Sequence, residues 1–511
     1  MKIKQELIDW WLPLIALCLI AYWIQINTYL DGDSAIISHT AALMLLGQTY
    51  THFIFEPNPP LIFYLHMPAI LLAKLTDIKI IYCLRFYLLF LIVLCLTCSR
   101  ILFAKLFKHH ALLINSMSYA LAIILLLLPV LAFGQREHLM LILTLPYLLL
   151  ATCRFENKLI NKSFAILIGL MAGIGFSIKP FFLPTWLLIE LAFVVSQKSL
   201  LGWLRIESVL ASLFILIYGL SVIVFFPTYW QVVLPLWMPY YRGIVQPWWT
   251  LIIYPYFVFC CAALTLSIIT QKEKQNASIK KIFRLAIIGY LLAFLIPGVV
   301  WYYHILPALS VACLYFVLFF YELTERITHS SARTASLAGI GLLAIAVLSM
   351  PVESSVIATL QQITYFHKDN PIHQLTVYLN QHTPNNTYDF FSMTLRLYDL
   401  EYYSTAHYVG SLSFFSWEYN RLAPQKYSMA YWQHTLAYMQ TIVSHDLDDN
   451  KPQFVIVDIP SSLILLKQRI DYPKEYVNNE VFRQAWSHYN YATTIGPYDV
   501  YQRKSPGDSL K

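Results

Sequence analysis

About eleven stretches of this chain are apolar enough and long enough to cross a lipid bilayer, each near the 20 residues that hydrocarbon thickness demands. They fall at about 10–28, 80–99, 111–132, 139–153, 163–178, 181–197, 208–226, 249–270, 285–301, 304–321 and 335–350. No water-soluble core accommodates them. Only 12% of the 511 residues are Asp, Glu, Lys or Arg, and 58% are apolar. Backbone groups in hydrocarbon must satisfy one another within a segment, so the spans are helices and the expected fold class is a polytopic α-helical membrane protein. The formal charge of +7 is too small an excess to mark a nucleic-acid binder.

The eight cysteines, Cys18, Cys83, Cys95, Cys98, Cys153, Cys260, Cys261 and Cys313, lie in or beside apolar segments and imply neither a disulfide framework nor a zinc site. The N-terminal stretch carries Glu6 and Asp9 and lacks a small-residue cleavage site, so it reads as an uncleaved first span.

Sorting the linkers by Lys and Arg gives the orientation. One set holds Lys2, Lys4, Arg100, Lys105, Lys108, Arg154, Lys158, Lys162, Lys198, Arg205, Lys272, Lys274, Lys280, Lys281, Arg284, Arg326 and Arg333. The alternate set holds Lys74, Lys79, Arg136, Lys179 and Arg242. The positive-inside rule makes the richer set and the N-terminus cytoplasmic. The alternation requires residues 61–75, which follow Asn58-Pro59-Pro60 and contain His66, Pro68 and Lys74, to form a juxtamembrane or re-entrant helix on the outer side.

Two domains follow: residues 1–350 as the membrane domain, with an outer loop at 28–79, and residues 351–511 as a soluble α/β domain outside the cytoplasm. In the second, Asn370-Pro371 opens a helix through Asn380, residues 425–445 form another, residues 453–458 form a strand, and Gly496-Pro497 turns a hairpin. The expected location is a bacterial inner membrane with this domain in the periplasm.

Four outer segments carry the polar groups on that side. Asp31-Gly32-Asp33 precedes a helix over 34–47; one Asp is explained as a helix cap, and the pair supplies a general base with a charged neighbour, or two ligands for a divalent cation. No other cofactor is implied. Gln135-Arg136-Glu137-His138 is a dense charged cluster between two spans, where plain interfacial anchors are the alternative. Lys179 is a rare outer cation, suited to an anion or to snorkelling. The aromatic stretches 229–249 and 301–304 contribute Arg242 and His304.

Carboxylates and scattered cations at an outer membrane surface suit a lipid-linked phosphosugar. Its isoprenoid tail lies among the spans and membrane lipids, its phosphate meets Arg136, Lys179, Arg242 or His304, and an Asp deprotonates an acceptor hydroxyl.

Asp31-Gly32-Asp33, the helix to Gly47-Gln48-Thr49-Tyr50, and Asn58-Pro59-Pro60-Leu61 resemble the first outer loop of GT-C glycosyltransferases, such as protein O-mannosyltransferases and the aminoarabinose transferase of lipid A. Gln135-Arg136-Glu137-His138 sits where that family keeps a second acidic loop, and Trp301-Tyr302-Tyr303-His304 with Pro307 is similar to an aromatic-His-Pro stretch of bacterial members. The resemblance implies a GT-C-like catalytic domain, Asp33 as base, Asp31 as its supporting carboxylate and Glu137 as a further acid, with Asn58 and His138 lining the site. It also implies a polyprenyl-phosphate-sugar donor, a lipid, glycan or protein acceptor, and inversion at the sugar carbon. Asn58 stands where better-known relatives have Lys or His, and Glu137 where Asp is usual. Two other classes remain open: a lipid-linked-oligosaccharide flippase or other transporter, and an O-antigen ligase or polymerase.

Overall fold

The computed structural model describes residues 10–28, 30, 32–50, 56–108, 110–243, 245–270, 275–328, 371–382, 387–391, 403–404, 429–458, 472–496 and 498–504. Their helices through the apolar part are α1 (Leu12–Ile26), α2 (Gly32–Leu45), α3 (Leu61–Thr76), α4 (Ile80–Leu106), α5 (Ala111–Leu126), α6 (Arg136–Phe155) and α7 (Lys162–Ser177). There follow α8 (Leu183–Gln197), α9 (Ile206–Phe225), α10 (Leu234–Gly243), α11 (Trp248–Ile252), α12 (Pro255–Ile269), α13 (Ala277–Leu295) and α14 (Tyr302–Thr328). Polar-region helices are α15 (Pro371–His382), α16 (Met429–Asn450), α17 (Tyr472–Tyr476) and α18 (Glu480–Trp486). Among the described residues, five helices are long and apolar enough to cross a membrane: Ile80–Leu106, Arg136–Phe155, Pro180–Gln197, Ile206–Phe225 and Tyr302–Leu323. The protein is a polytopic helical membrane protein with a small C-terminal sheet. Expected span 335–350 lies outside the described residues.

Two expected spans change shape for physical reasons. The stretch 249–270 breaks into α11 and α12 because Tyr254 is extended and Pro255, lacking an N–H, starts a new helix. The span expected at 285–301 starts earlier, as α13, since Lys280 is neutralised in place by Glu322 at 2.6 Å. The helix stops ahead of Pro297 and Gly298, the latter at φ +69°.

The chain divides into two compact units. The first comprises Met1–Thr28, Leu84–Val222 and Val245–Ile363. Within it α6 packs on α7, and α13 packs on α6, α8, α12 and α14. Helix α6 is buried along almost its whole length, whereas α9 exposes Leu213, Leu216, Ile217, Leu220 and Phe225, a face suited to lipid. Small residues set the closest approaches. A Cβ on Gly289 of α13 would lie 2.4 Å from the Thr185 Cα of α8, and one on Gly169 of α7 would lie 2.8 Å from the Glu207 backbone of α9. At one end of this unit, acids and bases are paired: Arg154 grips Glu207 through two hydrogen bonds of 2.9 and 3.0 Å, and Arg205 lies 2.7 Å from Glu190. Arg154 sits at the C-terminal end of α6, about 25 Å along the helix from Glu137.

The second unit comprises Tyr29–Cys83, Ile223–Ile244 and Thr364–Lys511. Residues 61–76 form a single helix, α3, which packs against α2; Ser38 Oγ and His66 Nδ1 meet at 3.0 Å between them. Two phenols clamp the loop before α3: Tyr50 donates to the Asn58 carbonyl at 2.5 Å and Tyr229 to that of Pro57 at 3.0 Å, their rings 5.0 Å apart.

The sheet of this unit has the order β2 (Tyr403–Ser404), β1 (Thr387–Phe391), β3 (Phe454–Asp458), β5 (Tyr498–Arg503), β4 (Tyr489–Ile495). β1 runs parallel to β2 and β3, while β5 runs antiparallel to β3 and β4. The expected hairpin is present, turned at Gly496 with φ +56°. Tyr498 and Val500, two residues apart on β5, join Phe454 and Ile456 of β3 beneath Leu375 and Leu379 of α15. Burial of each such side chain stabilises the layer by about 1.5–3 kcal/mol.

Candidate active site

The best-defined polar cluster lies in the first unit, where α6 begins. Gly134, at φ +89°, turns the chain, Gln135 adopts an extended ψ of 158°, and Arg136 and Glu137 open the helix. A carboxylate in the first helical turn is favoured by the macrodipole. Arg136, Glu137 and His138 are all buried.

Glu137 gathers the others. Lys179, held extended between α7 and the 3-10 turn Pro180–Phe182, places Nζ 2.6 Å from Glu137 Oε1, with side-chain exposures of 12% and 2%. His304, in the first turn of α14, brings Nε2 to 3.8 Å from the same oxygen. The Tyr303 ring faces both the Arg136 guanidinium, at 5.9 Å, and the Lys179 ammonium, at 5.8 Å. Glu137 Oε2 is buried without a hydrogen-bond partner among the described residues. Lys179 and His304, both far from Glu137 in sequence, thus meet its carboxylate in a buried setting, and Arg136 shares the Tyr303 ring with Lys179.

His138 differs. Its Nδ1 accepts from the Gly134 N–H at 3.0 Å and its Nε2 donates to the Leu125 carbonyl at 3.0 Å, so both ring nitrogens are engaged in holding the loop.

Asp33, Asn58 and Arg242 belong to the other unit. Helix α2 starts at Gly32 rather than at residue 34, so Asp33 lies inside its first turn and does not cap it; it is partly exposed. Asn58 is buried, with its backbone and side-chain N–H groups directed at Glu56 Oε1. Arg242 is exposed in the last turn of α10, where a cation offsets the helix dipole. Asp31 lies outside the described residues. Among the described residues, no three His, Cys, Asp or Glu side chains converge as metal ligands would.

Two further buried charged residues, Arg85 and Glu56, were not among those expected at the site. Arg85 is 1% exposed, and its Nη1 donates to the Phe133 carbonyl at 2.8 Å, just before the cluster. Its signal was plain: an arginine inside an apolar span demands a partner.

No family model matches the sequence, and no curated protein sequence does. Among solved structures, the chain is similar to the crystal structure of ArnT from Cupriavidus metallidurans bound to undecaprenyl phosphate. The TM-score is 0.56 over 96% of this chain and 97% of that one, at 10% identity. The chain shares the fold of that protein. At that identity the likeness concerns the course of the backbone, so the chemistry of the site rests on this chain's own side chains.

Proposed function

We propose that this protein is a GT-C membrane glycosyltransferase that takes a sugar from a polyprenyl-phosphate donor and passes it to a hydroxyl of a lipid, glycan or protein acceptor. The observation that carries the reading is the buried cluster of Arg136, Lys179 and His304 about Glu137. An ammonium and an imidazole lie against the carboxylate and a buried guanidinium lies over the Tyr303 ring beside them, and this surplus of positive charge in a poorly hydrated setting favours an anion. The fold likeness to a protein solved with undecaprenyl phosphate supports the same donor chemistry.

The charge change in the reaction explains why cations belong there. The donor phosphodiester carries one negative charge. As the bond between the anomeric carbon and the phosphate oxygen breaks, its electron pair stays on that oxygen and the leaving group gains a second charge. Arg136 and Lys179 therefore bind the transition state more strongly than the ground state. Asp33 takes the proton of the acceptor hydroxyl, whose oxygen attacks the anomeric carbon opposite the departing phosphate and inverts it. Asp31 supports Asp33, Asn58 lines the site, and Arg242 is a second-rank phosphate contact. If a divalent cation takes part, Asp31 and Asp33 would hold it.

The orientation follows the Lys and Arg sorting, with the N-terminus cytoplasmic and the C-terminal domain, from about residue 351, periplasmic. Support comes from the second unit, which joins 29–83, 223–244 and 364–511 and so gathers three of the segments that the sorting puts on the outer side. The test is to give the purified protein radiolabelled polyprenyl-phosphate sugars with a membrane-lipid extract and follow free polyprenyl phosphate and labelled product. Stoichiometric appearance of both is expected; donor transport across vesicles without cleavage would replace the reading with a flippase.

A further inference from the structure

The loop between α5 and α6, residues 127–135, is held at its backbone by side chains from four helices. Gln25 of α1 donates to the Val130 carbonyl at 3.1 Å, Tyr302 of α14 donates to that of Leu128 at 2.5 Å, and Arg85 of α4 donates to that of Phe133 at 2.8 Å. His138 of α6 closes the loop through the Gly134 N–H. The Arg85 guanidinium also lies 5.6 Å from the Phe133 ring centre. Within this frame Val130 sits at φ +51°, a conformation that β-branched residues adopt only when their surroundings over-determine it. A Cβ on Gly134 would meet Leu88 Cδ1, one turn beyond Arg85, at 2.6 Å.

Such restraint is far more than a connection between two helices needs. The loop ends at Gln135, directly before Arg136 and Glu137. Tyr302 leads directly into Tyr303 and His304, which face the same cluster. Taking the phosphate-binding reading as its basis, we propose that Arg85, Gln25 and Tyr302 are positioning residues: they fix the loop so that Arg136 and Glu137 present a preorganised phosphate pocket. None of the three needs to touch the donor. Arg85 is the strongest of them, because its charge-assisted bond to a carbonyl in a water-poor setting admits no replacement by solvent.

The test uses the full-length protein in detergent, with Arg85→Gln, Arg85→Lys and the near-isosteric Tyr302→Phe. Amide hydrogen exchange over 128–138 and titration with undecaprenyl phosphate are both read. Arg85→Gln and Tyr302→Phe should speed exchange in that segment while the rest of α4 and α14 stays protected, and Arg85→Gln should weaken binding roughly tenfold or more. Arg85→Lys should recover part of both. Exchange that is unchanged in both Arg85→Gln and Tyr302→Phe overturns the proposal, as does a loosened loop with unaltered binding. Absence of binding by the unsubstituted protein overturns the phosphate reading instead, and the exchange data then still decide whether Arg85 holds the loop.

Discussion

Lys179 Nζ lies 2.6 Å from Glu137 Oε1, 42 positions away in sequence, and both side chains are nearly sealed from solvent. A buried ion pair is a weak source of net stability, but the loss of one partner leaves an uncompensated charge in a poorly hydrated setting. The pair therefore distinguishes structural from functional roles. Lys179→Met should destabilise by about 3–5 kcal/mol, and the double substitution Glu137→Gln with Lys179→Met should recover most of that loss while donor affinity stays low. Thermal unfolding in detergent, alongside donor titration, measures both. Recovery of affinity in the double variant would remove Lys179 from the phosphate site.

Asp33 stands in the first turn of α2, within the second unit. Asp33→Asn should fold and insert normally yet transfer sugar roughly 100-fold or more slowly, the scale of general-base catalysis. Asp31→Asn should cost less. Equal, large losses at both positions would favour a shared divalent cation, to be checked by chelation and metal titration.

At the other end of α6, the Arg154–Glu207 pair ties that helix to α9 far from the cluster. Glu207→Gln should lower the thermal midpoint and leave kcat/KM of the folded enzyme unchanged. A fall in kcat/KM at matched folded fraction would show that the two ends of α6 communicate.

Within the helices, glycine identity matters where two of them touch. Gly289→Ala forces a Cβ against the Thr185 backbone and should destabilise by about 1–3 kcal/mol. Gly219→Ala has nothing within 4 Å of the added carbon and should be neutral or slightly stabilising. Comparison of the two midpoints tests the α8–α13 approach directly.

Orientation is open to reporter fusions. A reporter after Lys281 should report cytoplasm, and one after Arg503 the outer compartment. Both on the same side would shift the span count by an odd number.

Much of this architecture is legible in the sequence because hydrophobic length is a local property. Residues 136–155 and 302–328 need no partner to announce themselves as helices, and Gly496 marks its hairpin through turn chemistry alone. The cluster was legible in part. Arg136 and Glu137 are adjacent and Lys179 and His304 are conspicuous polar residues at span ends, but only folding reveals that all four meet. His138 shows the limit: its neighbours suggest acid–base work, while its two ring nitrogens serve backbone groups at Gly134 and Leu125. Arg85, Glu190 and Glu322 escaped because each lies inside a hydrophobic run and finds its partner far away in sequence or in a neighbouring loop or helix.

The most direct test of the account is a titration of purified protein with undecaprenyl phosphate, comparing the unsubstituted chain with Arg136→Ala and Lys179→Ala at matched folded fraction. A charge-assisted hydrogen bond to the phosphate is worth about 1.5–3 kcal/mol, so each substitution should weaken binding roughly 10- to 150-fold. Identical affinities for all three proteins would contradict the phosphate-binding role of the cluster and return Arg136 and Lys179 to the class of membrane-interface anchors.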